Sequence, residues 1–274
     1  MKFDEIGNWS EVKLDIVREY AAAYSRILSA QESPSLYHVY IDAFAGAGMH
    51  ISKSTGDFIP GSPLNALLIK PPFKEYHLID FDSEKVDLLL EMAAEYQNVF
   101  VHEGDCNGIL LEKVFPKAKY SDYRRALCLL DPYGLHLNWE VMLTAAEMKS
   151  IEIFLNFPIM DMNMNVLKKD PGKVDPLQAL RMTAFWGDES WRQAAYDVTG
   201  NLFGMPEKTN NEAMAEAFRQ RLRKVAGFKY VPEPIPMRNN KGATVYYLFF
   251  ASQKPVAADI VRAIFDKYRD KGKK

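Results

Sequence analysis

Val39-Tyr40-Ile41-Asp42-Ala43-Phe44-Ala45-Gly46-Ala47-Gly48 is the stretch on which the fold turns. An apolar strand ends on an acid and runs into a loop with two closely spaced glycines, which let a backbone turn sharply and approach a ligand. A tight turn without a ligand is the plain alternative. No helix opens at these glycines. The next start signal is Gly61-Ser62-Pro63, after a loop holding Thr55-Gly56-Asp57, with Ser62 placed to cap and Pro63 suited to a first helical position. A pyrophosphate held on a helix N-terminus directly after the turn is therefore not indicated. This points away from a dinucleotide and towards a cofactor without phosphates.

Outward from the loop, strands and helices alternate. Residues 36–41, 76–79, 99–101, 126–130 and 151–155 read as strands. Helices are expected over 10–29, from Ser62, and over 83–96, 107–115 and 139–148. Single helices between apolar strands predict a mostly parallel sheet with helices on both faces, a Rossmann-like α/β fold. The regular alternation stops after Leu155. Residues 156–206 hold Pro158, Pro171, Pro176, five methionines, Trp186 and Trp191, and read as an irregular and helical insertion whose Met and Trp side chains form its own core. A helix over 211–225 follows. Residues 228–237 and 244–251, joined by a turn at Asn239-Asn240-Lys241-Gly242, predict an antiparallel hairpin. A last helix over 256–268 leads to a basic tail. The expected organisation is an N-terminal helical segment (1–35), a sheet domain (36–156 and 226–274) and a helical insertion or lid (157–225).

Right-handed crossovers place the strand C-termini along one edge, where open α/β sheets bind ligands. Asp80, closing Leu78-Ile79-Asp80, is placed to accept from the two hydroxyls of a ribose, or else to charge the next helix start. Asp82 suits that helix as a cap. Asp105, in Gly104-Asp105-Cys106-Asn107, can accept from an adenine amine beside a Cys106 backbone donor, or cap the following helix. Asp131-Pro132-Tyr133-Gly134 ends the fourth strand. There the acid and the proline carbonyl can accept the hydrogens of a planar amine while the tyrosine ring stacks, or the tetrapeptide is only a turn. Asn156-Phe157-Pro158 ends the fifth strand, either as a further wall of the substrate pocket or as a strand stop. The five histidines are scattered and none is assigned a role.

These strand ends, Asp42 with Phe44, Gly46 and Gly48, then Asp80, Asp105 with Cys106, and Asp131-Pro132-Tyr133, resemble those of class I S-adenosylmethionine-dependent methyltransferases. Over nearly the whole chain, from Trp9–Leu14 through Pro60-Gly61-Ser62-Pro63 and Asn156-Phe157-Pro158 to Tyr246–Pro255, the sequence resembles the three-Cys-motif partner (TcmP) family. Over roughly residues 10–135 it is also similar to bacterial methyltransferases of adenine N6 in large-subunit ribosomal RNA. The resemblance implies a methyl-donor site at Asp42, Phe44, Gly46, Gly48, Asp80, Asp105 and Cys106. It implies a target base near Asp131, Pro132 and Tyr133, RNA or DNA as substrate, and the neighbouring gene's three-cysteine protein as a partner. The amino-methyltransferase motif Asp/Asn-Pro-Pro-aromatic lacks its second proline here. A methyltransferase of a small molecule or protein, and a non-catalytic cofactor-binding partner protein, are the alternatives.

Composition narrows the rest. The chain has 274 residues, 48% hydrophobic and 26% charged, enough for a sizeable core. Its net charge of -2 means that any nucleic-acid face is local. Lys168, Lys169, Lys173, Arg181, Arg219, Arg221, Arg223 and Lys224 are candidates for phosphate contacts, or simply solvated helix faces. Two cysteines without ligand spacing suggest neither a disulfide framework nor a metal site. With no apolar run long enough for a membrane span and no signal-peptide pattern, a cytoplasmic location is expected.

Overall fold

The computed structural model describes residues 3–197 and 207–269. The chain begins with a short strand, β1 (Glu5–Ile6), and a long helix, α1 (Asn8–Ser29). Strand β2 (Tyr37–Asp42) leads through the glycine loop into a small hairpin, β3 (Met49–Ser52) and β4 (Phe58–Pro60), and then helix α2 (Ser62–Leu67). Next come β5 (Glu75–Asp80), α3 (Ser83–Ala93), β6 (Val99–Glu103), α4 (Cys106–Ile109), β7 (Arg124–Leu130), α5 (Trp139–Met148) and β8 (Ile151–Phe157). Helices α6 (Ile159–Asn165), α7 (Pro176–Trp186) and α8 (Trp191–Ala195) precede the two-residue strands β9 (Tyr196–Asp197) and β10 (Glu207–Lys208). Helix α9 (Asn211–Arg221), strands β11 (Ile235–Arg238) and β12 (Thr244–Ala251), and helix α10 (Pro255–Arg269) follow.

Seven strands form one sheet in the order β11-β12-β8-β7-β2-β5-β6. Every pairing from β8 to β6 is parallel, and β12 runs against both β8 and β11. From β2 the chain moves first to β5 and β6 on one side, then to β7 and β8 on the other. The order therefore reverses between β2 and β7, the topological switch point where such sheets hold ligands beyond their strand C-termini.

Side chains alternate across each strand, so neighbours in sequence enter different cores. Val39, Ile41, Cys128, Leu130, Ile153, Leu155 and Phe157 pack on one face beneath α5, α7 and α9. Tyr40, Leu127, Leu129, Phe154, Leu248 and Phe250 pack on the other with α1, α2 and α10. Burial on both faces explains why β7 and β8 read as continuous apolar runs. Met162, Met182, Trp186 and Trp191 are buried in the first core together with the sheet residues, not in a separate core of the insertion. No helix among the described residues is long and apolar enough to cross a membrane.

Several local expectations change, among them the cap of α2: Gly61 and not Ser62 holds the N-cap position, and no side chain caps it. The segment after the glycines is a hairpin, with β3 paired to β4 and β1 running parallel to β3. The helix expected over 107–115 keeps α geometry only to Ile109, then widens into a π turn over Leu110–Val114 and tightens over Phe115–Lys117. The first limb of the C-terminal hairpin is also shorter than read. Pro232 and Pro234 carry no N–H for a ladder, so after an isolated bridge between Tyr230 and Ser252 continuous pairing starts only at Ile235. The basic tail lies outside the described residues.

Candidate functional site

The glycine loop needs its glycines where the chain adopts positive φ, +63° at Gly46 and +77° at Gly48. Two links hold it in place. The Gly46 N–H donates to Asp80 Oδ2 at 2.7 Å, and the Gly61 N–H donates to the Gly48 carbonyl at 2.8 Å. Asp80 also accepts from the Asp82 N–H through Oδ1 at 3.0 Å, so it fastens both the loop and the turn leaving β5. A carboxylate has about four lone-pair sites, and acceptor capacity towards a ribose remains. Asp82 caps α3, accepting from the Glu84 N–H at 3.0 Å.

Asp42 lies wholly buried under the loop. Its oxygens accept from the Tyr40 hydroxyl at 3.3 Å and the Phe44 N–H at 3.4 Å. Burial pushes its carboxyl up to about 7, against the Ser62 hydroxyl, which favours the charge, and with the negative Asp131 adding to the rise. Asp42 thus supports the loop from beneath.

Beyond the loop a crevice of about 380 Å³ opens at the switch point. Phe44, Ala45, Gly46 and Ser62 border it from the β2 side; Asp131, Pro132, Tyr133 and Asn156 border it from β7 and β8. The structure therefore brings the glycine loop and the Asp131 turn into one cavity. Asp131 is held from two directions: Lys13 of α1 donates to Oδ2, and the Asn156 amide donates to Oδ1 at 2.9 Å. Tyr133 is 75% exposed at the crevice edge, with its hydroxyl 3.3 Å from Asp4 Oδ2 and the Lys85 ammonium 5.7 Å from its ring centre. Lys85 also pairs with Asp4 at 2.7 Å. Partial burial pushes the Asp4 carboxyl up, and the Lys85 ammonium more than offsets this, so the group ends below its ordinary value.

Other expected residues fall elsewhere. Asp105 caps α4 with both oxygens, accepting from Asn107 and Gly108, and does not border the crevice. Cys106 is buried beside it, and that burial, with the Asp105 charge, pushes its thiol up to about 12. Phe157 is a core residue, packed against Phe185, Phe218 and Phe249. Strand alternation turns it away from the crevice that its neighbour Asn156 borders, which corrects its expected place in a substrate pocket. Pro158 precedes α6 and is likewise buried outside the crevice. Of the basic candidates, Arg181 donates to His136, Arg219 to the Val231 carbonyl, and Arg221 to Asp188 and the Trp186 carbonyl.

Lys13, Trp9, His50, Lys53, Lys85 and Tyr246 border the crevice without having been singled out. Trp9 and Lys13 lie in the 9–14 segment, and Tyr246 in the 246–255 segment, both of which carry part of the family resemblance. The others come from elements whose approach to the site depends on tertiary packing alone.

The central strand followed by a glycine loop, carboxylates at the next strand ends and a single reversed strand beside the far edge complete the expected pattern. The fold is that of the Rossmann-like class I methyltransferases. Protein LPL1258 of Legionella pneumophila, of family DUF519, is similar over 94% of this chain and 93% of its own, with 13% identity and a TM-score of 0.52. Trm5b of Pyrococcus abyssi is similar over 85% of this chain and 48% of its own (14% identity, TM-score 0.37). The CurJ carbon methyltransferase is similar over 85% and 53% (13% identity, TM-score 0.37). No protein-family model and no curated protein matches the chain.

The crevice residues fit a sulfonium nucleoside. Gly46 presents open backbone, since a Cβ there would meet nothing nearer than His50 at 3.9 Å. Asp80 does not itself border the crevice; from the end of the adjoining strand it holds the Gly46 N–H.

Proposed function

We propose that this protein is an S-adenosylmethionine-dependent methyltransferase acting on an exocyclic amino group of a nucleic-acid base, of the adenine N6 kind. The observation that carries the reading is the shared crevice: Phe44, Ala45 and Gly46 meet Asp131, Pro132 and Tyr133 across one cavity at the switch point. S-adenosylmethionine would supply a methyl whose bond to sulfur breaks with the electron pair left on sulfur as the amine lone pair forms the new bond, the surplus amine proton passing to water.

The chain's own part is placement. The glycine loop, tied to Asp80, would hold the methionine end, with Asp80 accepting from the ribose. Asp131 and the Pro132 carbonyl form the wall facing the amine, and the exposed Tyr133 ring offers a stacking surface for a planar base. Positioning two reactants without a strong base is a sufficient source of rate for such a transfer. A base in a duplex would first have to leave its stack.

Transfer of labelled methyl to total RNA, DNA and protein extract tests the substrate class. Incorporation into nucleic acid is expected, and it should fall at least a hundredfold with Asp131→Ala. Label appearing only in protein or small molecules would overturn the nucleobase reading. Calorimetry tests the cofactor, with Asp80→Ala expected to weaken S-adenosylmethionine binding about tenfold or more through the lost charge-assisted bond to the loop.

A further inference from the structure

Asn156 ends β8 beside the Asp131 turn, and its carboxamide has only one tenable orientation. Its Nδ2 donates to Asp131 Oδ1 at 2.9 Å and faces the Pro132 carbonyl at 3.5 Å. Turned over, Oδ1 would oppose a carboxylate and a carbonyl with no hydrogen between them. The neighbours therefore fix Nδ2 towards Asp131 and Oδ1 away from it. In that orientation Oδ1 has no hydrogen-bond partner, although the side chain is only 8% exposed. A buried acceptor left unpaired is rare in a native fold, and this one belongs to a residue bordering the crevice.

The carboxylate next to it is already engaged. Lys13 donates to Asp131 Oδ2 and Asn156 donates to Oδ1. Each Asp131 oxygen thus already carries one protein donor, whereas Asn156 Oδ1 carries none.

We propose that Asn156 Oδ1 receives an N–H of the acceptor amine, while Asp131 acts behind it as a positioning residue that locks the amide. The inference rests on the amine-methyltransferase reading and moves the contact with the amine from the acid to the amide. An amine bound here places one hydrogen on Asn156 Oδ1 and the other towards the Pro132 carbonyl, leaving its lone pair free. A hydroxyl has one hydrogen and satisfies only one of the two acceptors, so the pair selects –NH2. The second proline missing from the motif is consistent with this, because the recognition surface is completed from β8.

Binding of adenosine and of purine riboside, which lacks only the exocyclic amine, tests the assignment in the presence of S-adenosylhomocysteine. The wild-type protein should bind adenosine about tenfold more tightly, the worth of one neutral hydrogen bond. Asn156→Leu should abolish that preference while leaving S-adenosylhomocysteine affinity within twofold. Asn156→Ser, smaller and polar, provides the same comparison if the leucine variant does not fold. Equal binding of the two nucleosides to the wild type, no binding of either, or a preference that survives both substitutions would overturn the inference. Methyl incorporation into nucleic acid, measured separately, would still stand or fall on its own.

Discussion

Lys13 and Asp131, 118 residues apart in the chain, form an ion pair that ties the N-terminal helix to the end of β7. Lys13 is 8% exposed and Asp131 21%. Removing one member leaves a largely buried charge without its partner, a far costlier change than replacing both. Lys13→Met should destabilise the protein by about 3 kcal/mol, the low end for buried pairs because Asp131 keeps some contact with water. Adding Asp131→Leu should recover most of that loss. Chemical denaturation of the two variants checks this; equal stability of the single and double variants would show that Asp131 left without its partner carries no cost.

Asp42 gives a pH signature. Its carboxyl titrates at about 7 in the folded protein against an ordinary value of 3.8. Between those values the folded chain holds a proton that the unfolded chain has released. The stabilising contribution is therefore complete below about pH 4 and is lost as pH rises through about 7, at up to about 1.4 kcal/mol per pH unit. Asp42→Asn removes this dependence, so its stability relative to wild type should improve steadily from pH 4 to pH 7. Urea unfolding at intervals across that range measures it, and parallel curves would refute the buried, protonated acid.

Gly61 is a third point of sensitivity. A Cβ at this residue would lie 2.8 Å from the Gly48 carbonyl oxygen and 2.9 Å from its carbon, both rigid backbone. Gly61→Ala should push α2 away from the glycine loop, strain the Gly61–Gly48 hydrogen bond, and destabilise by about 1–3 kcal/mol. S-adenosylmethionine binding should weaken with it. A melting temperature and affinity unchanged from wild type would mean that the loop tolerates the displacement.

Phe157 separates packing from recognition. It is wholly buried among aromatic rings, so Phe157→Ala should cost about 3–5 kcal/mol. Where the variant remains folded, its KM for substrate should match wild type. A raised KM with unchanged stability would restore it to the substrate pocket.

The sheet was legible because burial on both faces leaves uninterrupted apolar runs, as in residues 126–130 and 151–155, separated by single helices; Gly61-Ser62-Pro63 marked the start of α2, although Gly61 and not Ser62 holds the cap position. The glycine loop announced itself through Gly46 and Gly48, whose positive φ admits few other residues. Strand ends pointed to Asp131 and Asn156 because topology alone places them along one edge. Asp105 was ambiguous from the outset, since one residue type serves both a cap and a ligand, and in the structure its two oxygens cap α4. Phe157 misled because sequence adjacency to Asn156 says nothing about which side of the strand each faces. Lys13, Lys85 and His50 were invisible as site residues: a charged or polar residue on a helix or hairpin carries no mark of which distant strand end it will approach.

β12 lies between β8 and β11, and Leu248 pairs directly with Asn156. A ribosome delivers β8 some ninety residues before this partner. Through that interval β8 is the open border of the sheet, with unsatisfied backbone groups able to recruit any passing strand. The nascent protein can thus hold its glycine loop long before the edge of β8 is covered. A chain stopped before Thr244 would be left with a sticky margin along the strand that carries Asn156.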